Sequence, residues 1–83
     1  MKLLYFAWLR TKIGTAEEMV DPPPHISTVA ALLEWLRARG PNFAEALKNI
    51  EIVRVAVNQR HVGRNHVLKH GDEVAIFPPV TGG

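Results

Sequence analysis

The order of hydrophobic and polar residues predicts a strand near the start of the sequence. Residues 2–9, KLLYFAWL, are almost continuously apolar and too short for an isolated helix, which favours a strand with two apolar faces. One face would carry Leu3, Tyr5, Ala7 and Leu9, and the other Leu4, Phe6 and Trp8. Residues 12–15 predict a turn and residues 17–20 a return strand, which the prolines at 22–24 end because proline cannot donate to a ladder. The first two strands are therefore expected to form a hairpin.

The next segment has the period of an amphipathic helix. Its apolar residues recur at the i, i+3, i+4 and i+7 positions, namely Val29, Leu32, Leu33 and Leu36. Ser27 or Thr28 would supply the N-cap of this main helix. Gly40, followed by Pro41, would end it. A second, shorter helix is predicted over residues 42–49.

The last third of the chain returns to strand patterns. Turns are predicted at residues 58–61 and 70–72, and strands at residues 52–57, near Val62 and at residues 73–77. Pro78 and Pro79 follow the last strand, where they would stop pairing and hold the chain extended.

This order of elements predicts one α+β domain over residues 1–83, with a mixed sheet and one main helix packed on one face. The core under the helix would contain Leu3, Tyr5, Val53, Val55, Val74 and Ile76. Because one helix cannot cover both faces, Phe6, Trp8 and Phe77 are expected on the open face. Exposed aromatic residues that cluster beside a terminal segment are typical of a partner site. The alternative is that long loops fold over them as a second small core.

Composition and charge exclude several classes of function. The net charge is +2, with 10 basic and 8 acidic residues spread along the chain, so the basic cluster that nucleic-acid binding requires is not expected. The sequence has no cysteine, which excludes a disulfide, a thiolate nucleophile and a cysteine zinc site. The first apolar run is too short for a membrane span and no cleavage site follows it, so we expect a cytoplasmic protein without a membrane partner.

Four histidines raise the question of a metal site. His66 and His70 have the four-residue spacing that would place two ligands on one face of a helix. Their segment has a strand and turn pattern instead, and neither a nearby carboxylate nor a third ligand supports the site. No metal is therefore expected.

Two interpretations compete for Gly82 and Gly83, the last residues of the sequence. A terminal segment is poorly ordered unless something holds it, so two glycines need no function. Alternatively, residues without a Cβ would form a thin probe that enters a narrow channel in a partner. Pro78 and Pro79 would stiffen the base of that probe and lower the entropy lost on docking.

Several segments together resemble the small, sulfur-carrier subunits of molybdopterin synthase. They are LLYFAWLR, TVAALLEWLRARGPNFAEAL, VRVAVNQ and, most specifically, GDEVAIFPPVTGG. The resemblance covers essentially the whole chain. It implies the ubiquitin-like β-grasp fold with an extended tail over residues 78–83.

The resemblance also implies a two-step function. An ATP-dependent adenylating enzyme, similar to the one that starts ubiquitin conjugation, would adenylate the carboxylate of Gly83, and a sulfur donor protein would convert it to a thiocarboxylate. The tail would then enter the large subunit of molybdopterin synthase and pass its sulfur to cyclic pyranopterin monophosphate. Two carriers and two large subunits would form a heterotetramer. The chain itself is expected to bind no cofactor, since the activating enzyme would bind the ATP.

The same resemblance assigns roles to residues. Gly83 would be the working residue, at the end of a tail formed by Pro78, Pro79, Val80, Thr81 and Gly82. Phe6 and Phe77 would dock on the partner, and Arg10 would pair with an acidic group there. His61 stands where relatives often have an aliphatic contact residue, so the sequence departs from the family at part of this surface.

Three other functions stay open. The chain could be a sulfur carrier for another pathway, such as thiamine thiazole synthesis, although the FPPVTGG and RGPNFAEAL segments argue against it. It could be a ubiquitin-like modifier that forms isopeptide bonds with lysines of target proteins. It could also be an interaction domain whose terminal glycines have no function.

Overall fold

A mixed sheet forms the framework of the chain in the computed structural model, which describes residues 1–79. The strands within these residues are β1 (Lys2–Tyr5), β2 (Glu17–Met19), β3 (Arg54–Val57), β4 (Arg60–Val62) and β5 (Glu73–Phe77). Their order in the sheet is β2-β1-β5-β3-β4. The neighbours β1 and β5 run parallel, and the other pairs are antiparallel. The last strand in sequence therefore occupies the middle of the sheet.

Helices lie in the connections from β1 to β2 and from β2 to β3. They are α1 (Ala7–Ile13), α2 (Val29–Arg37) and α3 (Pro41–Ala46), and a 3₁₀ turn follows at Ile50–Ile52. The predicted main helix is α2, and its N-cap is Thr28, whose hydroxyl accepts a hydrogen bond from the Ala31 amide at 3.2 Å. The predicted end at Gly40 was wrong, because α2 ends at Arg37 with Ala38 as its C-cap and Gly40 is the N-cap of α3. None of these helices, all within residues 1–79, is long and apolar enough to cross a membrane.

The core lies between the sheet and α2. The predicted core residues of the strands are all at most 2% exposed, and they are Leu3, Tyr5, Val53, Val55, Val74 and Ile76. Four apolar residues of α2 have no exposed surface and pack in the same core, and they are Val29, Leu32, Leu33 and Leu36. Burying side chains of this size contributes about 1.5–3 kcal/mol each, so this layer is the main source of stability.

The strand predicted over residues 2–9 was wrong beyond Tyr5. The backbone of Phe6 is extended, Ala7 takes a left-handed φ of 55°, and α1 then runs to Ile13. The buried residues of α1 are Leu9 and Ile13, which are four residues apart, so helical period explains the burial of Leu9. Ala7 is exposed, contrary to the predicted face.

The connection between β1 and β2 therefore contains a helix rather than a tight turn. Gly14, with a φ of 98°, ends α1 and donates its amide to the Arg10 carbonyl at 2.8 Å. The turn predicted over residues 12–15 begins only at Gly14, because residues 12 and 13 are helical. The antiparallel pairing of the first two strands is as predicted.

The other differences from the predicted elements are at their boundaries. The second helix was predicted at residues 42–49 and spans Pro41–Ala46. The strand predicted at residues 52–57 begins at Arg54, because the 3₁₀ turn occupies the positions before it. The last strand matches residues 73–77 as predicted.

Candidate functional site

An exposed apolar groove lies where β1 and β5 end. It encloses about 560 Å³, and its lining residues are Phe6, Ala7, Trp8, Ile52, Phe77, Pro78 and Pro79. Phe6, Trp8 and Ile52 are each more than 40% exposed, which is unusual for large apolar side chains that also lie together. We call this surface the aromatic groove.

The parallel pairing of β1 and β5 brings Phe6 and Phe77 together. Tyr5 and Ile76 are partners in this ladder, and the Phe6 amide donates a hydrogen bond to the Ile76 carbonyl at 3.2 Å. Since side chains alternate along β5, buried Ile76 is followed by half-exposed Phe77 on the opposite face. The prediction that Phe6, Trp8 and Phe77 lie on the open side is therefore confirmed, although Trp8 reaches it from a helix.

His61 joins this cluster from an edge strand. Its imidazole packs edge-on against the ring of Phe77, with ring centroids 5.3 Å apart and an interplanar angle of 80°. The ladder pairs His61 with Ala56 and Arg54 with Phe77, so all four residues share the open face of the sheet. His61 is exposed.

Arg10 lies one helical turn beyond Phe6. Its amide donates to the Phe6 carbonyl at 3.4 Å, its side chain is exposed, and it forms no ion pair within residues 1–79. The structure thus brings Phe6, Phe77 and His61 together and places the backbone of Arg10 one helical turn beyond Phe6. Their role in binding a partner stays a prediction.

Ile52 is a member of the groove that was not predicted from the sequence. It was assigned to a strand that starts at residue 52, whereas the 3₁₀ turn leaves its side chain 41% exposed. The signal in the sequence is that Ile52 is apolar although the alternation of residues 52–57 puts it on the same face as Arg54, away from the buried valines.

The aromatic groove also receives the start of the predicted tail. Pro78 and Pro79 line it and are half-buried. The remaining predicted tail residues, Val80, Thr81, Gly82 and Gly83, lie outside the described residues. The last described residues of the chain therefore lie against an apolar surface.

The shifted titratable group of the core lies away from this groove. Burial, reinforced by a hydrogen bond to Glu18, raises the pKa of Tyr5 above its ordinary value. The phenol donates to Glu18 at 2.6 Å, and Arg39 binds the same carboxylate at 3.0 Å. This arrangement holds an edge of the core together. Within residues 1–79 there is no group of three histidine, aspartate or glutamate residues placed to hold a metal ion.

Comparison with known proteins extends over almost the whole chain. Residues 3–83 match the ThiS family. The chain is 41% identical over 83 residues to the molybdopterin synthase sulfur carrier subunit of Escherichia coli (strain K12), a match that covers 100% of this chain and 99% of that protein.

Two solved structures give the fold. The small archaeal modifier protein 1 of Haloferax volcanii superposes with a TM-score of 0.75 at 26% identity, covering 96% of this chain and 97% of that chain. A chain in the complex of subunits 1 and 2 of the molybdopterin-converting factor from Helicobacter pylori superposes with a TM-score of 0.63 at 23% identity, covering 99% and 96%. With the observed strand order, these likenesses confirm the predicted ubiquitin-like β-grasp fold of the α+β class.

Proposed function

Because the chain belongs to the ThiS family, we propose that it is the sulfur-carrier subunit of a molybdopterin synthase, with Gly83 as the residue that carries the sulfur. The observation that carries this proposal is the 41% identity, over the full chain, to the Escherichia coli sulfur carrier subunit. The position of the aromatic groove supports it, since Pro78 and Pro79 line the groove and lead into residues 80–83.

The chemistry requires activation of the tail. An α-carboxylate has a pKa of about 3.5, so it is ionised at neutral pH and is a poor electrophile. In the first step the Gly83 carboxylate attacks ATP on the activating enzyme, and an acyl adenylate forms as pyrophosphate leaves. Sulfur at the oxidation level of sulfide, supplied by a donor protein, then attacks the acyl carbon and AMP leaves, so the product is the thiocarboxylate. The large subunit transfers this sulfur to cyclic pyranopterin monophosphate.

The composition of the tail suits delivery to a buried site. Gly82 and Gly83 have no Cβ, so they add no width and do not restrict φ. Pro78 and Pro79 fix φ and reduce the entropy lost when the tail docks. A side chain at position 82 or 83 would widen the tail where it must be thin.

The aromatic groove is the docking surface for the large subunit in this proposal. A solved complex of subunits 1 and 2 of a molybdopterin-converting factor contains a chain of this fold, which supports a partner of that kind. Phe6 and Phe77 would supply the apolar contacts, with Arg10 and His61 at their side. Two carriers and two large subunits would form the heterotetramer, and the catalytic site would lie on the large subunit.

The first test is the intact mass of the protein after incubation with ATP, a sulfide source and the activating enzyme of the same organism. We expect a gain equal to the replacement of one oxygen by one sulfur. The matched control is the variant that lacks Gly83, which should gain nothing because its last carboxylate is displaced from the activating site. An unchanged mass, with an activating enzyme that modifies another carrier, would refute the proposal.

A second candidate function is protein modification. It is favoured by the likeness to the small archaeal modifier protein 1 of Haloferax volcanii, at a TM-score of 0.75. A modifier would form isopeptide adducts with lysines of other proteins. Immunoblots of cell lysate separate the two, because a dedicated carrier leaves the free chain as the main band and a modifier produces a ladder of heavier adducts that Gly83 deletion abolishes.

A further inference from the structure

Ion pairs are distributed unevenly over the molecule. The cations that pair with carboxylates all come from the first part of the chain, and they are Lys2, Lys12, Arg37, Arg39 and Lys48. Residues 52–71 contain arginine, lysine and histidine but no aspartate or glutamate. Within residues 1–79, none of the cations of that segment forms an ion pair. The positive charge of this segment is therefore not neutralised by ion pairs within the described residues.

Arg54 is the arginine of this segment that lies beside the aromatic groove. It is exposed on β3, is the ladder partner of Phe77, and so projects from the open face next to that ring. Ile52, two residues earlier, lines the groove itself. Arg54 also shares a shallow hollow with Glu51 and His61, but it forms no ion pair with Glu51.

An arginine beside exposed aromatic residues is more typical of a protein interface than of a surface that contacts only solvent. A guanidinium is weakly hydrated and pairs with carboxylates through two parallel hydrogen bonds. Arginine beside exposed aromatic residues is a combination that is enriched at the centres of protein interfaces. In the free protein the exposed guanidinium of Arg54 is hydrated, so its charge carries no desolvation penalty. A partner that covered the groove without an anion would bury that charge unpaired, which is unfavourable.

We propose that Arg54 is a docking residue that pairs with a carboxylate of the large subunit at the edge of the aromatic groove. This inference rests on the proposed function, because it takes the large subunit as the occupant of the groove. The partner surface it requires combines an apolar patch that meets Phe6 and Phe77 with an acidic side chain opposite Arg54.

Arg60 provides a matched control. It is also an exposed arginine without an ion pair in the described part of the chain, and it lies on the same hairpin. It is the ladder partner of buried Val57, so it projects from the other face of the sheet. The substitutions Arg54→Glu and Arg60→Glu therefore change the net charge equally, and only one of them alters the groove.

The experiment measures the dissociation constant for the large subunit of the same organism, at low and at physiological salt, after thermal unfolding has shown that each variant is folded. We expect Arg54→Glu to weaken binding about tenfold or more and to reduce its salt dependence. Arg60→Glu should change the affinity less than about threefold, since only long-range steering is affected. Arg54→Lys should retain more affinity than Arg54→Gln, because it keeps the charge.

The outcomes separate the inference from the function it rests on. If Arg54→Glu binds within about twofold of the unaltered protein, or Arg60→Glu weakens binding equally, then local pairing at Arg54 is refuted while the carrier function stands. If the unaltered protein does not bind the large subunit at all, the proposed function fails and the inference fails with it.

Discussion

Tyr5 shows how one residue can serve both the core and a polar network. Its ring is 1% exposed, and its hydroxyl donates to Glu18 at 2.6 Å. Glu18 in turn binds Arg39, whose guanidinium lies 5.4 Å from the ring centroid of Trp35 and 4.8 Å from that of Phe43. The buried phenol is therefore satisfied by a carboxylate that is itself paired, which avoids the cost of an isolated charge at the edge of the core.

The substitution Tyr5→Phe tests this network. At neutral pH we expect a loss of about 1 kcal/mol in the free energy of unfolding, because the hydrogen bond to Glu18 disappears and the ring remains. The pKa of Tyr5 is raised in the folded protein, first by burial and then by the hydrogen bond to Glu18. The neutral phenol is therefore favoured in the folded protein. Its contribution to the free energy of unfolding is fully present below the ordinary tyrosine pKa of about 10 and is lost as the pH rises above that value.

Urea unfolding at pH 7 and above pH 10 measures both effects. The difference in the free energy of unfolding between the unaltered protein and Tyr5→Phe should shrink above about pH 10. Ionisation of Tyr5 in the unfolded chain then destabilises the unaltered protein, whereas phenylalanine has no proton to lose. A difference that stays constant across this range would show that Tyr5 ionises as readily in the folded protein as in the unfolded one.

At the scale of elements, the main helix and the last strand could be predicted from the sequence and α1 could not. Periodicity and an N-cap identify α2, and alternation bounded by a glycine turn and prolines identifies β5. Leu9 fits the two-residue alternation of Leu3 and Tyr5 only by coincidence, because it lies in α1 and is buried by the period of that helix. The chain changes direction at Ala7 by a left-handed angle that alanine rarely adopts, and Phe6 supplies no side-chain cap. No local signal therefore marks the start of this helix, which tertiary packing on α3 stabilises.

The side chain of Asn58 links the turn between β3 and β4 to the start of β5. Asn58, with a φ of 51° in the turn between β3 and β4, donates to Asp72 at 2.9 Å and accepts from the Glu73 amide at 3.0 Å. Desolvation disfavours the ionised form of Asp72, but hydrogen bonds from the Lys69 amide and Asn58 outweigh it and hold the pKa of Asp72 below its usual value. One side chain thus fixes a hairpin turn and the start of β5 relative to each other.

Two substitutions at Asn58 separate the effect of its side-chain hydrogen bonds from the effect of its positive φ. Asn58→Gly and Asn58→Ala both remove the side-chain hydrogen bonds, but only alanine is strained at a positive φ. We expect both variants to be less stable than the unaltered protein, and the alanine variant to be less stable than the glycine variant by about 1 kcal/mol. Equal stabilities in chemical denaturation would contradict a left-handed backbone at this position.

At the scale of the whole molecule, the sheet has one covered face and one face available to a partner. The sequence predicted this asymmetry, because a single amphipathic helix of the observed length covers one side only. It did not predict Ile52 or Arg54 as neighbours of the groove. Their positions depend on a 3₁₀ turn and on the register between β3 and β5, and neither follows from residue order alone.

Truncation of Phe77 tests the open face as a docking surface. Phe77→Ala should raise the dissociation constant for the large subunit about tenfold or more, since aromatic residues dominate the binding energy of most interfaces. Val67→Ala is the control, because Val67 is 59% exposed and does not line the groove.

The control should change the affinity less than about threefold, and both variants should first be shown to unfold like the unaltered protein. If Phe77→Ala binds normally, the large subunit docks elsewhere on the molecule.

The central place of β5 has a mechanical consequence. Pro78 and Pro79 continue the chain from the end of this strand, which is bonded along its length to parallel β1 and to antiparallel β3. A force applied to Pro79 along the axis of β5 would load the hydrogen bonds of both ladders together in shear instead of opening them one after another. The sheet would therefore resist traction on Pro79, and the load would pass to the body of the domain without peeling away an edge.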